Sequence, residues 1–203
     1  MKKLLIASMG LLFVLALLAI IARAFLPGAL EQTMNRVEPD IAARVSEEAP
    51  ALHDSLFIVD LHTDSTLWQR NLAEASNRGH VDLPRLRQGN VALQVFSATT
   101  KSPRGQNYER NTAGSDNITL LAVIQGWPMA TWRSLYARAS YQLDLLHALE
   151  KDPDAKLMMV RNRRDFERLL AARERGEPVT GAMYLIEGAH PLEGDLDNLD
   201  RLQ

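Results

Sequence analysis

The alternation of apolar and polar positions divides the chain into three parts. After Lys2 and Lys3 an uncharged run, LLIASMGLLFVLALLAII, extends from Leu4 to Ile21 and is closed by Arg23 and the helix breaker Pro27. A bilayer span needs about 20 apolar residues and a signal-peptide core only about 7–15, so residues 1–26 are expected to form an uncleaved signal anchor. Ala22 and Ala24 also have the spacing of a cleavage site for small residues, which makes a removed signal peptide the competing reading. Both readings export the rest of the chain to the periplasmic or extracellular side, with Lys2 and Lys3 holding the N-terminus in the cytoplasm. Residues 27–55, interrupted by Pro39 and Pro50, predict either a stalk or an N-terminal helical segment packed on the domain, with His53 solvated.

From residue 56 to 203 strand-like and helix-like segments alternate. Strands are expected at 57–64, 91–100, 156–160 and 180–190. Between the second and third, Trp132, Leu135, Tyr136, Ala139, Leu143, Leu146 and Leu149 recur at helical spacing, with His147 beside the stripe. RNRRDFERLLAARERG predicts a helix that buries Phe166, Leu169 and Leu170 and stops at Gly176, and a last helix starts at Asp195. Repeated strand-then-helix units argue for an α/β fold with a parallel sheet, whose ligand site lies at the carboxyl ends of the strands. His62 and Asp64 end the first strand and Glu187 ends the fourth, so all three are expected on one rim.

Composition narrows the chemistry. A net charge of -2 gives no electrostatic case for nucleic acid. The absence of cysteine excludes disulfides, thiolate zinc sites and a cysteine nucleophile, so any metal must be held by His, Asp and Glu. Within FIVDLHTDSTLW the residues Asp60, His62 and Asp64 recur with the period of a strand, which predicts one shared face: His62 and Asp64 at the rim, Asp60 one layer deeper as a supporting acceptor or buried acid. A carboxylate that reaches in from another strand, such as Glu187, can bridge two zinc ions. The plainer reading of H-x-D is a hydrogen-bonded strand end. Lys101–Asn117 is polar, holds no aliphatic stripe and follows the second strand. It is expected to fold over the rim, with Tyr108 touching substrate; the alternative is a mobile surface loop.

Three segments carry a resemblance. VDLHTD, then HVDLPRLRQGNVALQVFSATT, then MYLIEGAHPLEGDLDNLDRL resemble the membrane (renal) dipeptidase family of zinc peptidases, in this order and at comparable spacing, from about Leu56 onward. The resemblance implies a metal-dependent (β/α)8 TIM barrel, of which this chain supplies about the first four β/α units. It also implies two zinc ions, with His62 and Asp64 as ligands of one and Glu187 as the bridging, catalytic ligand. His190 matches a family position for which a structural hydrogen bond is expected. An amidohydrolase-type barrel, the neighbouring alternative, opens with H-x-H, where this chain has His62-Thr63-Asp64.

The family draws its further histidine ligands and an acid from later strands. The 148 residues from Leu56 to Gln203 are fewer than the roughly 250 of a complete barrel, so the chain is expected to be the N-terminal part of a longer protein. The expected function is zinc-dependent hydrolysis of dipeptides by a membrane-anchored, exported enzyme. The expected partners are a dipeptide, the bilayer through residues 1–26, and a second copy in a homodimer. The alternative is a catalytically inactive remnant or binding module that keeps part of the metal site.

Overall fold

The computed structural model describes residues 2–37, 46–110 and 112–202; the break expected at Pro39 lies outside them. In chain order the elements are α1 (Lys2–Met34), α2 (Ala49–Ser55), β1 (Ile58–Thr63), α3 (Leu83–Gln88), β2 (Val91–Ala98), α4 (Ile118–Gln125), α5 (Leu135–Lys151), β3 (Leu157–Met159), α6 (Arg163–Glu174), β4 (Thr180–Ile186) and α7 (Asp197–Arg201). The expected strands are all present but shorter. The two helices α3 and α4 have no counterpart in the sequence reading.

The strands form one parallel sheet in the order β1-β2-β4-β3. Four consecutive barrel units would place each strand beside the next, so this order corrects that expectation for the described residues, which form an open sheet. Crossover handedness explains the consequence. Right-handed connections that step across the sheet in one direction leave their helices on one face, and a step back puts the helix on the other. The step from β3 to β4 runs backwards, and α6 lies opposite α3 and α5. Accordingly Phe96, Leu157, Met159 and Ala182 pack with Leu83, Leu86 and Leu146. The alternate residues Leu93 and Met158 pack with Leu169 and Phe166 of α6 instead. The start of β4 must let α6 approach: a Cβ at Gly181 would lie 2.4 Å from Leu169 Cδ2 and 2.8 Å from Leu93 Cδ1.

The apolar stripe expected before β3 lies on α5, where Ala139 and Leu146 are buried and Leu143 and Leu149 pack on the core, but it is not the whole buried face. The buried face of α5 carries Arg138, Ala139, Gln142 and Leu146, so two of its most enclosed positions are polar. α1 runs for 33 residues straight through Pro27, which therefore does not break it. Near its end Glu31 is buried, with Oε1 2.8 Å from Arg70 Nε and Oε2 2.8 Å from Arg78 Nε. Arg70 in turn approaches Asp82, the N-cap of α3, whose side chain accepts from Arg85 N–H. Burial opposes ionisation of Asp82, but hydrogen bonds from the Arg85 side chain and backbone and from Ser76 outweigh it and lower its pKa. Beyond α1, Asn35 O accepts from Gly79 N–H at 2.7 Å. Residues 27–37 thus lie against the domain. His53 is not merely solvated: Nε2 donates to Gly89 O at 3.0 Å.

Glu31→Ala removes the nearer of the two carboxylates beside Arg70, whose side chain is 5% exposed, and leaves that buried cation only Asp82 at 3.7 Å. Denaturant unfolding of the whole chain in detergent is expected to show a loss of about 3–5 kcal/mol, against the ~1 kcal/mol or less of a surface pair.

Candidate metal centre

At the rim β1 is irregular. Its register pairs Asp60 with Gln94 and Thr63 with Phe96, so Leu61 and His62 stand against the single residue Val95. This bulge breaks the period of two. Asp60 falls on the face of Gln94, while His62 and Asp64, on either side of Thr63, point to the other. The expectation that all three share a face is corrected accordingly. Asp60 supports the bulge through backbone: Oδ1 accepts from His62 N–H at 3.1 Å, and the Gln94 amide donates to Asp60 O at 3.4 Å.

Glu187 arrives from β4, one residue past the pair Ala98 and Ile186. Its N–H donates to Ala98 O at 3.2 Å, which extends the ladder to the rim. Ligand atoms of His62, Asp64 and Glu187 all lie within 4.8 Å of one another. His62 Nε2 is 2.9 Å from Glu187 Oε1 and 3.5 Å from Asp64 Oδ1, and the three side chains keep 48%, 40% and 41% exposure in the order His62, Glu187, Asp64. The structure therefore brings together the three residues expected to hold metal.

The sequence reading missed Thr99. Its Oγ1 lies 3.0 Å from Asp64 Oδ1 and 3.2 Å from Glu187 Oε2. A hydroxyl has one proton and donates to only one of two carboxylates, so the other contact sets lone pair against lone pair. A cation between the carboxylates removes that conflict. Two donors each about 2.1 Å from a tetrahedral zinc lie about 3.4 Å apart, close to the spacings found here. One imidazole and two carboxylates suit zinc, and among the described residues no other His, Asp or Glu joins the group, so positions remain open for water and substrate. The residues present fit a metal ion. The period of β2 carried past Ala98 is the signal that points to Thr99.

The rim is fixed from below by α5. Thr66 Oγ1, in the turn after Asp64, donates to Ser97 O at 3.1 Å and lies 3.0 Å from Gln142 Oε1. Gln142 Nε2 donates to Thr99 O at 3.4 Å. One turn earlier Arg138 donates to Thr100 O at 2.6 Å and to Asp116 Oδ2 at 2.7 Å. Asp116 closes the base of the loop after β2 by accepting from the N–H groups of Ser102 and Ile118. Burial alone would raise its pKa, but the Thr119 hydroxyl, Arg138 and those N–H groups outweigh it and hold it at about 2.

That loop closes on itself. Lys101 Nζ donates to Ala113 O and Arg104 N–H to Ser115 Oγ. Tyr108, at 110% relative exposure, packs against nothing, so the structure does not bring it to the metal cluster. His190 is exposed on the turn His190–Leu192 with its ring against Gly188, and among the described residues its side chain makes no hydrogen bond, unlike the expectation. His147 is half-buried beside Tyr184 and Arg161. A cleft of about 120 Å³ on the flank of Asp64 is lined by His80, Trp68, Arg70 and Asn35, so the residue that follows α1 reaches the edge of the centre.

A sequence model of the family described as Membrane dipeptidase (Peptidase family M19) matches residues 46–203, more than three quarters of the chain. No curated protein and no solved structure matches.

Thr99→Val is expected to weaken zinc binding about 10-fold or more, with Thr99→Ser close to wild type, in competition with a chromophoric chelator. Asp116 has a pKa of about 2 when folded against an ordinary 3.8, so its contribution to stability is present above 3.8 and lost as the pH falls towards 2. In urea unfolding, the stability gap between wild type and Asp116→Asn is expected to be widest above pH 3.8 and to close over that window.

Proposed function

The chain belongs to the membrane dipeptidase family, and on that premise we propose that His62, Asp64 and Glu187 hold zinc for the hydrolysis of dipeptides on the exported side of a membrane. The observation that supports it most is the convergence of one imidazole and two carboxylates, from β1 and β4, on one open rim. α1 supplies a helix long and apolar enough to cross a bilayer. When bound, zinc lowers the pKa of water and polarises a peptide carbonyl.

The protein's own groups prepare that chemistry. His62 Nε2 faces the two carboxylates, and the bulge held by Asp60 fixes its backbone. Glu187 has both oxygens turned into the centre, Oε1 towards His62 and Oε2 towards Thr99, which suits a bridging role. Thr99 orients the two carboxylates, and its own backbone is held by Gln142. The openness of the cluster and its three donors also favour a second reading, a binding module that takes up zinc without turning over a peptide.

Purified chain supplied with Zn²⁺ and a panel of L,L- and L,D-dipeptides tests both. With three donors among the described residues, at most one weakly held zinc per chain is expected. Turnover that falls about 100-fold or more in His62→Ala, with circular dichroism unchanged, supports the enzyme. Bound zinc with no turnover of any dipeptide supports the module, and turnover unaffected by His62→Ala overturns the site.

A further inference from the structure

We propose that the outward face of α4 and the turn Met129–Trp132 after it lie in the interfacial layer of the bilayer, as a second membrane contact beside α1. The inference rests on reading α1 as a membrane span. It concerns a surface on the globular domain that the span alone does not explain.

Composition comes first. From Asn117 to Trp132 the sequence NITLLAVIQGWPMATW has no charged residue. The inner face of α4 is accounted for: Ile118 and Ala122 pack with Leu67 and Trp127. The outer face is as apolar as the inner one, with Leu120 56% and Val123 42% exposed, and Met129 follows at 75%. A helix on the surface of a water-soluble domain turns polar residues outward. α4 turns none, so its outer face is built for a medium other than water.

Position identifies the medium. Arg23, the first charge after the apolar run of α1, donates to Gln125 O at 2.9 Å and to Gly126 O at 3.3 Å. These carbonyls close the C-terminal end of α4, where a cation is favoured. Gly126 has φ +64°, and a Cβ there would sit 1.8 Å from Arg23 Cζ, so the site admits only glycine while the arginine is docked. The end of α4 is thereby held at the level where the apolar run gives way to charge, the boundary of a hydrocarbon core about 30 Å thick. Arg133, exposed, follows the turn Met129–Trp132 directly and adds a second basic group at the edge of the patch. A short apolar face rimmed by arginine is the pattern of an interfacial helix, with guanidinium groups reaching anionic headgroups.

The chain has no cysteine, so single cysteines can be placed at will. Val123→Cys, Ala16→Cys in α1 and Glu174→Cys on α6 across the sheet, each labelled with an environment-sensitive fluorophore, are reconstituted as full chains in phosphatidylcholine–phosphatidylglycerol vesicles. Lipids carry nitroxide quenchers at shallow or deep positions. The expected result is quenching of the Val123 label by about twofold or more from the shallow nitroxide, quenching of the Ala16 label from the deep one, and none at Glu174. A Val123 label as bright as the Glu174 label, with the Ala16 label quenched, overturns the proposal and leaves the anchor standing. An unquenched Ala16 label overturns the anchor and the proposal with it. A Val123 label shielded from water, indifferent to nitroxide and sensitive to dilution assigns the face to a second copy of the chain and also overturns the proposal.

Discussion

The carbonyl groups where β2 leaves the sheet have no further strand to pair with, and the rim depends on how they are satisfied. α5 does so from inside the protein, with Gln142 on Thr99 O and Arg138 on Thr100 O. An unpaired buried carbonyl costs about as much as a lost hydrogen bond, so these two side chains are held where they are needed. The same contacts settle the conformation of Thr99, and its hydroxyl then meets Asp64 and Glu187. Ligand geometry at the surface is in this way set by polar groups buried one layer below it. Arg138, 1% exposed, also donates to Thr131 O and Thr119 Oγ1, tying the turn after α4 and the first turn of α4 to the same point.

What could be read from the sequence follows from the range of the interaction responsible. β1, β2 and β4 are local apolar runs, and the three ligands sit at their ends, so the strands and the cluster were legible together. The bulge between Asp60 and Thr63 was not, because it is a mismatch between two strands and leaves no mark in either alone. Thr99 escaped because its role depends on Glu187 arriving beside it from 88 residues away. Arg138 and Gln142 occupy positions that helical spacing assigns to a core, yet their charge and polarity read as surface until the strand-end carbonyls they serve are known. α4 was passed over because eight nearly uniform apolar residues show no period. The order β1-β2-β4-β3 is not written locally at all: a three-residue β3 pairs only with the start of β4, and that choice is made by packing.

The two faces of the sheet have different fates. The face of Phe96 and Ala182 is covered by α3 and α5, whereas α6 covers only the lower part of the other, around Leu93 and Gly181. Above it Met183 and Leu185 remain 39% and 42% exposed. The cluster of His62, Asp64 and Glu187 stands at the upper margin of this uncovered apolar strip, an apolar surface beside the three polar groups.

α1 is one uninterrupted rod from Lys2 to Met34, clasped by the domain through Glu31 and Arg23. A rod without a hinge transmits rotation. In a thinner membrane an apolar helix leans over to keep its length covered, and in a thicker one it stands up. With α1 in a bilayer, as proposed above, that lean would swing the domain as a lever, carrying the rim of His62, Asp64 and Glu187 towards or away from the lipid surface. Bilayer thickness would then set the elevation at which solutes meet these three side chains.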